Sequence, residues 1–273
     1  MAILVMIRGG GDLASGVALR LHRAGLGLLI TELPQPLVVR RAVAFAEAVY
    51  RGSCQVEGIA GVRADNLDQA VQISAAGQIP VLVDPQAQAL AELSQRPQPL
   101  VLVDARMTKL PLETTLASAT LVIGLGPGCV AGENCHAVVE TNRGHHLGRV
   151  IWSGAGEADT GLPEAVLSQD RSRVLRAPSA GPIQTQVQIG EHIAMGQVVA
   201  KVDHTPIISP LKGVLRGMLH SGLAVTAGLK IGDVDPRDDP RSCFIASDKA
   251  LAIGGGVLEA ILSTPALRPW LWV

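Results

Sequence analysis

The sequence predicts an α/β domain built on a parallel sheet, then an all-β module, then a C-terminal helix. Three observations carry this expectation. Short aliphatic runs alternate with amphipathic stretches through the first half of the chain, the pattern of strands covered by helices. Hydrophobic residues make up 48% of the 273 residues but aromatics only 2%, so the core must be built from Val, Leu, Ile and Ala, which suit parallel strands buried on both faces. Pro178, Gly181, Gly190, Gly196 and Asp203 recur as Pro210, Gly213, Gly222, Gly228 and Asp235, a constant offset of 32 residues (178 to 210). The expected boundaries are 1–165 for the α/β domain, 172–237 for the duplicated β module and 243–273 for a helical segment packing back on the first domain.

In chain order, residues 3–7 form an apolar run that reads as a buried strand. Gly9-Gly10-Gly11 follows, and an amphipathic stretch to Ala24 reads as a helix ended by Gly25. Leu28–Thr31 reads as the second strand and Val38–Tyr50 as the next helix. Strands are expected at Ile79–Val83, Leu100–Val103 and Ala119–Ile123, with helices at Asn66–Ala76 and Gln86–Ser94 between them. His136–Glu140 and Arg149–Trp152 read as paired strands around the turn at 142–146. The domain boundary is placed near residues 159–163. Ser247–Leu262 reads as a helix despite Gly254-Gly255-Gly256, which cost about 1 kcal/mol each against Ala and so point to close packing or a break.

Each half of the duplication reads as P-x-x-G, a strand, G-x-x-(Ile/Val)-x-x-G, then an apolar run closing on Val-Asp. The pattern resembles the two halves of a biotinyl/lipoyl-carrier domain, which implies a barrel-sandwich of interlocked sheets. In that family the modified lysine sits in the hairpin between the halves. Here that position is Val202, with Lys201 one residue away, and neither Met-Lys-Met nor Asp-Lys-Ala is present. No biotin or lipoyl group is therefore expected on Lys201.

Composition narrows the function classes. The net charge of −1 gives no footprint for nucleic acid or an acidic membrane surface. No apolar run reaches the roughly 18 residues that span a bilayer, and Ile3–Ile7 breaks at Arg8, unlike a signal peptide. A cytoplasmic protein is expected. Cys54, Cys129, Cys135 and Cys243 form no C-x-x-C pair and read as reduced thiols.

Gly9-Gly10-Gly11-Asp12-Leu13-Ala14 satisfies G-x-G-x-x-A between a strand and a helix, as in a Rossmann-like domain. There glycine lets backbone N–H groups approach a phosphate at the helix N-terminus. Glu32 closes the second strand, where such folds place a ribose-binding carboxylate, although Asp12 would repel a pyrophosphate unless turned aside. The alternative is a Rossmann-like turn without a nucleotide.

The glycine loop 124–128, with Gly126 and Gly128, should lie at the carboxyl edge of the sheet and could form an anion nest; a plain turn is the alternative. A polar cluster of Cys129, Glu133, Cys135, His136, Glu140, Arg143, His145 and His146 matches no zinc spacing, so no metal is expected. A hydrogen-bonded surface turn competes there with anion or cofactor binding. Arg106-Met107-Thr108-Lys109 and Arg40-Arg41 suit phosphate or carboxylate capture, or are solvated charge. Cys129 is the better placed thiol for a nucleophile or chalcogen carrier, because the glycine turn before it could favour a thiolate; a buried, inert Cys is the commoner alternative.

Several segments together resemble one family. They are Ile7–Ala18, Glu32–Pro36 with Arg40-Arg41, Leu125–Gly128, Val139–His145, Leu147–Ile151, Gly232–Arg237 and Ser247–Ala250. The chain resembles the selenium-dependent molybdenum hydroxylase system proteins, a family of YqeB-like accessory proteins. The resemblance implies a role in maturing hydroxylases that carry a molybdopterin centre, with the hydroxylase and its maturation factors as partners and an oligomer possible. The ligand so implied is a nucleotide or molybdopterin. The family's motif positions make Gly9, Gly10, Gly11, Asp12, Gly126, Gly128, Glu140, Arg143 and His145 candidate contacts, and Glu32 joins them from its strand position. Two other readings stay open: an NAD(P)- or nucleotide-dependent enzyme, and a non-catalytic scaffold docking the hydroxylase through the β module.

Overall fold

The computed structural model describes residues 3–108, 110–159 and 173–271. Lys109, residues 160–163 of the expected boundary and the first residue of the β module, 172, lie outside them. The chain divides into two units. One holds the described residues of 3–36, 45–159 and 246–271, the other those of 37–44 and 173–245.

The first unit is a nine-stranded sheet with helices. Its strands are β1 (Leu4–Arg8), β2 (Gly27–Glu32), β3 (Ser53–Val56), β4 (Ile59–Ala64), β5 (Ile79–Val83), β6 (Leu100–Asp104), β7 (Leu121–Leu125), β9 (Ala137–Val139) and β10 (Val150–Ile151). Their order is β10-β9-β7-β6-β1-β2-β5-β4-β3. From β9 to β4 every neighbouring pair is parallel. Antiparallel strands close both edges, β10 on β9 and β3 on β4. The sheet is therefore mixed rather than parallel throughout. The β3–β4 hairpin is made by Glu57 and Gly58, both with positive φ (46° and 82°), the backbone of a tight two-residue turn. A small pair, β8 (Val130–Ala131) with β11 (Gly154–Ala155), lies apart from the main sheet.

Helix α1 (Asp12–Arg23) follows β1, and α3 (Leu67–Ala75) and α4 (Gln88–Leu93) flank β5. Asn66 caps α3 by accepting the Gln69 N–H at 2.9 Å. Helix α5 (Asp248–Ser263) is capped by Ser247, which accepts the Ala250 N–H at 3.1 Å. Its glycines do not break it. A methyl at Gly254 would lie 2.6 Å from the Gly16 carbonyl, and one at Gly16 would lie 2.6 Å from the Ala250 carbonyl. Glycine is therefore what lets α1 and α5 cross backbone to backbone. Gly256 approaches the Gly148 carbonyl in the same way, while Gly255 faces open space.

The expected helix over Val38–Tyr50 is reduced to a 3-10 turn at Arg41–Val43 and the short helix α2 (Glu47–Arg51). The reason lies in the second unit. The Val39 carbonyl accepts the Met218 N–H at 2.8 Å, and Gly217 sits against Val39. Arg41 donates to the Met218 carbonyl at 3.0 Å, and Arg40 to the Ser242 and Ile245 carbonyls at 3.3 Å each. The expected anion-capturing pair Arg40-Arg41 is instead spent fastening residues 37–44 to the β unit.

The second unit holds β12 (Val174–Arg176), β13 (Gly181–Thr185), β14 (His192–Ile193), β15 (Val198–Val202), β16 (Thr205–Ile208), β17 (Gly213–Met218), β18 (Ala224–Val225) and β19 (Lys230–Asp235). They form two antiparallel sheets, ordered β12-β19-β17-β14 and β16-β15-β13-β18. The 32-residue offset relates β13 to β17, β14 to β18 and β15 to β19.

The expected biotinyl/lipoyl-like barrel-sandwich is corrected. The described residues form a mixed α/β fold with four sheets, and the β unit is not a self-contained module over 172–237. It takes in residues 37–44 and runs on to Ile245. Its ladders are interrupted by register shifts at Leu175/Arg176, Val198/Ala200 and Leu215/Gly217. Lys201 lies within β15, opposite Pro206 and Gln184.

Candidate functional site

The parallel strands deliver most of the predicted residues to one edge of the sheet. The chain leaves β1 for β2 on one side, while β6 feeds β7 on the other. The carboxyl ends of β1 and β6 thus form a topological switch point, where open α/β sheets leave a crevice.

Gly9 begins the loop at that point. Its φ of 95° is a conformation L side chains rarely adopt, and its N–H donates to the Thr31 carbonyl at 2.8 Å. Gly10 lies under residues 45 and 46: its carbonyl accepts the Ala46 N–H at 2.9 Å, and a methyl there would sit 2.9 Å from the Ala46 nitrogen. Ser15 locks this layer, donating to the Gly10 carbonyl at 3.3 Å and accepting the Phe45 N–H at 2.8 Å. Gly11 is the N-cap of α1 with φ −65°, and it, Asp12 and Leu13 keep partial exposure. The open part of the loop is therefore the helix N-terminus, not Gly9 or Gly10.

Glu32 turns back to this loop from the end of β2. Its carboxylate accepts the backbone N–H groups of Gly10 and Leu33, yet burial outweighs them and pushes the carboxyl up to about 7. Nearby Tyr50 is raised to about 12, by burial first and then by the charges of Glu32 and Glu47. Glu32 thus carries a proton that is lost near neutrality, a poise characteristic of functional sites.

On the other side of β1 stand four charged residues that sequence reasoning did not assemble. Arg8 and Asp104 are paired positions on neighbouring strands and are both buried. Arg106 grips Asp104 with Nε at 3.1 Å from both carboxylate oxygens and Nη2 at 2.7 Å from Oδ2. Glu113, on the loop after β6, reaches Arg8 at 3.5 Å and Arg106 at 3.3 Å. The two guanidinium groups hold the Glu113 carboxyl below its ordinary value, Arg106 contributing most.

The second glycine loop is packed from within. Gly126 (φ 66°) abuts the Thr141 side chain, and Gly128 (φ 94°) abuts the Leu110 backbone. The Gly126 N–H is spent on the Val139 carbonyl at 3.0 Å. Of the two readings of Cys129, the structure fits the buried, inert thiol and not the thiolate. The side chain is buried with Cys135, and burial pushes the two thiols up to about 12 and about 11.

The polar cluster resolves into separate structural contacts. Glu140 is fully buried; it accepts the N–H groups of Thr141 at 2.7 Å, Asn142 at 2.6 Å and Glu157 at 2.6 Å. Arg143 pairs with Asp248 at the start of α5, at 2.9 Å. His146 bonds Glu157 at 2.8 Å, and His145 is exposed beside it with rings 5.7 Å apart. His136 points to the opposite end of the strands, where its Nδ1 accepts the Val122 N–H at 2.9 Å. Among the described residues no group of three or more His, Cys, Asp or Glu could hold a metal ion. Sheet spacing sets Gly126 about 10 Å and Glu140 about 14 Å from the glycine loop of β1, so the predicted residues line one edge without converging on one ligand atom.

Two cavities lie elsewhere. One of about 350 Å³ is at the amino-terminal ends of β6 and β7, with Arg96, Leu100, Ser118 and Trp270 in its wall. One of about 200 Å³ is in the β unit, between Pro178, Pro206 and Pro210. Neither touches the residues above. No helix among the described residues is long and apolar enough to cross a membrane.

No family model matches the chain. It is 47% identical over 259 residues to the uncharacterized protein YqeB of Escherichia coli (strain K12), a match covering 95% of this chain and 47% of the relative. Over those residues the chain is YqeB-like, and it spans about half the length of the curated relative it matches. Among solved structures it is similar to an aspartoacylase family protein of Mesorhizobium loti (11% identity, 85% of this chain and 84% of that one, TM-score 0.28). It is also similar to a succinylglutamate desuccinylase of Silicibacter sp. TM1040 (14% identity, the same coverage, TM-score 0.24).

Proposed function

We propose that this chain is a cytoplasmic accessory protein for maturing selenium-dependent molybdenum hydroxylases. It binds a phosphate-bearing ligand, a nucleotide or molybdopterin, at the carboxyl edge of its parallel strands. One observation carries the ligand reading: the partly exposed N-terminus of the twelve-residue α1 at Gly11, beside a switch point and within reach of Glu32. The N–H groups of a helix N-terminus and the helix dipole favour an anion there. Glu32, poised near neutrality, can accept or donate a hydrogen bond to a sugar hydroxyl. The hydroxylase and its maturation factors as partners rest on the sequence resemblance alone.

Native mass spectrometry of protein purified gently without oxygen, with metal and selenium analysis, tests this reading. A retained nucleotide or pterin mass is the expected result. Bare protein that also fails to take up NAD, NADP, ATP or molybdopterin would remove it. Glu32 also favours a second reading, an NAD(P)-linked enzyme, which requires a clear preference for one dinucleotide.

A further inference from the structure

The four charges at the β1/β6 switch point are unequally satisfied. Asp104 is engaged by Arg106 in a two-pronged pair, the strong geometry of a carboxylate with a guanidinium. Buried Arg8 meets that same Asp104 at only 3.9 Å, beyond hydrogen-bond range. Its other acidic neighbour among the described residues is Glu113 at 3.5 Å. A buried guanidinium needs a close anion to offset its lost hydration. Glu113 supplies that anion poorly. Its side chain is 73% exposed, and its contacts of 3.5 and 3.3 Å are long against the 2.7–2.9 Å of charge-assisted bonds. It comes from an irregular loop, whereas Arg8 and Asp104 are fixed by strand register. Gly9 adjoins this cluster, a methyl on it lying 3.2 Å from the Ala105 carbonyl and 3.3 Å from the Arg106 Cα.

We propose that Arg8 and Arg106 form an anion-binding site at the β1/β6 switch point, that Glu113 fills it as an internal carboxylate, and that a phosphate or carboxylate group of the ligand displaces Glu113. With Glu113 in place the four side chains sum to zero charge; once it leaves they sum to +1, which the incoming anion neutralises. The site deepens the function proposed above, on which its biological ligand rests, by adding a second anionic group to what that ligand must carry. The Arg8–Arg106 chemistry itself stands without the glycine loop.

The test is calorimetric titration of the whole chain with inorganic phosphate and, separately, succinate. The proteins are wild type, Glu113→Gln, and Glu113→Gln combined with Arg106→Gln. Glu113 is exposed, so its variant keeps the fold. Glu113→Gln is expected to bind one of the two anions at least fivefold more tightly than wild type, and the double variant to lose that gain. The anion that gains identifies the group. Unchanged or weaker binding of both anions in Glu113→Gln, or a gain that survives Arg106→Gln, would overturn the proposal. Should no nucleotide or pterin bind while the Glu113→Gln gain persists, the function proposed above fails and this site stands. Gly11-dependent nucleotide binding with no Glu113 effect is the reverse.

Discussion

The carboxylate of Glu32, at the end of β2, accepts the backbone N–H of Gly10, in the loop after β1. The acid thus braces the glycine loop from the neighbouring strand while burial holds its proton to about 7.

That proton makes stability pH-dependent. A folded-state pKa raised from 4.5 to about 7 contributes stability that is full below about pH 4.5 and lost as pH rises through 7. Glu32→Gln keeps an acceptor for the Gly10 N–H and removes the titration. Urea unfolding at pH 5 and pH 8 should show wild type losing roughly 2 kcal/mol across the interval from this group, with a flatter profile in the variant. Parallel profiles would contradict the assignment.

Gly255 and Gly256 are adjacent in α5 but should respond oppositely to Ala. Gly256 abuts the Gly148 carbonyl, so Gly256→Ala should cost about 1–3 kcal/mol by overpacking. Gly255 faces open space, and Gly255→Ala should stabilise by up to about 1 kcal/mol through helix propensity. Chemical denaturation of both variants measures the difference.

Glu140 is predicted to be structural. Glu140→Ala would strand three buried or half-buried N–H donors and should cost at least about 3 kcal/mol. Hydrogen exchange should accelerate at the amides of Thr141, Asn142 and Glu157, whose bonds it breaks. Exchange unchanged at those three amides would refute the role.

Cys129 and Cys135 should resist alkylation. With thiols raised to about 12 and about 11 by burial, neither supplies a useful thiolate at pH 8. Iodoacetamide labelling of native protein, read by peptide mass spectrometry, should leave both unmodified and label them only after denaturation.

The β1–Gly–α1 segment was legible because local signals agree: an apolar run, three glycines, then an amphipathic stretch. Residues 38–50 misled because their apolar spacing suits a helix, whereas Val39, Arg40 and Arg41 are captured by partners near residues 218 and 242–245. Tertiary contacts there override propensity. The β3–β4 hairpin escaped notice because Glu57-Gly58 is not one of the usual turn pairs. At the site, the glycine loop and Glu32 could be read from spacing. Arg8, Asp104 and Glu113 could not, because only strand register brings Arg8 beside Asp104. The polar cluster after Cys129 read as one site only because its residues are close in sequence. The fold sends His136 to one end of the strands and Glu140 to the other.

The most direct test of the central claim is titration of wild type and Gly11→Asp with NAD, NADP, ATP and molybdopterin. Gly11 has φ −65° at the N-cap of α1, a conformation any residue adopts, and Asp is a favoured cap, so the variant folds while placing negative charge where a phosphate would sit. One of these ligands is expected to bind wild type, with an affinity that falls at least tenfold in Gly11→Asp. Equal affinity in both proteins, or no binding by either, would contradict it.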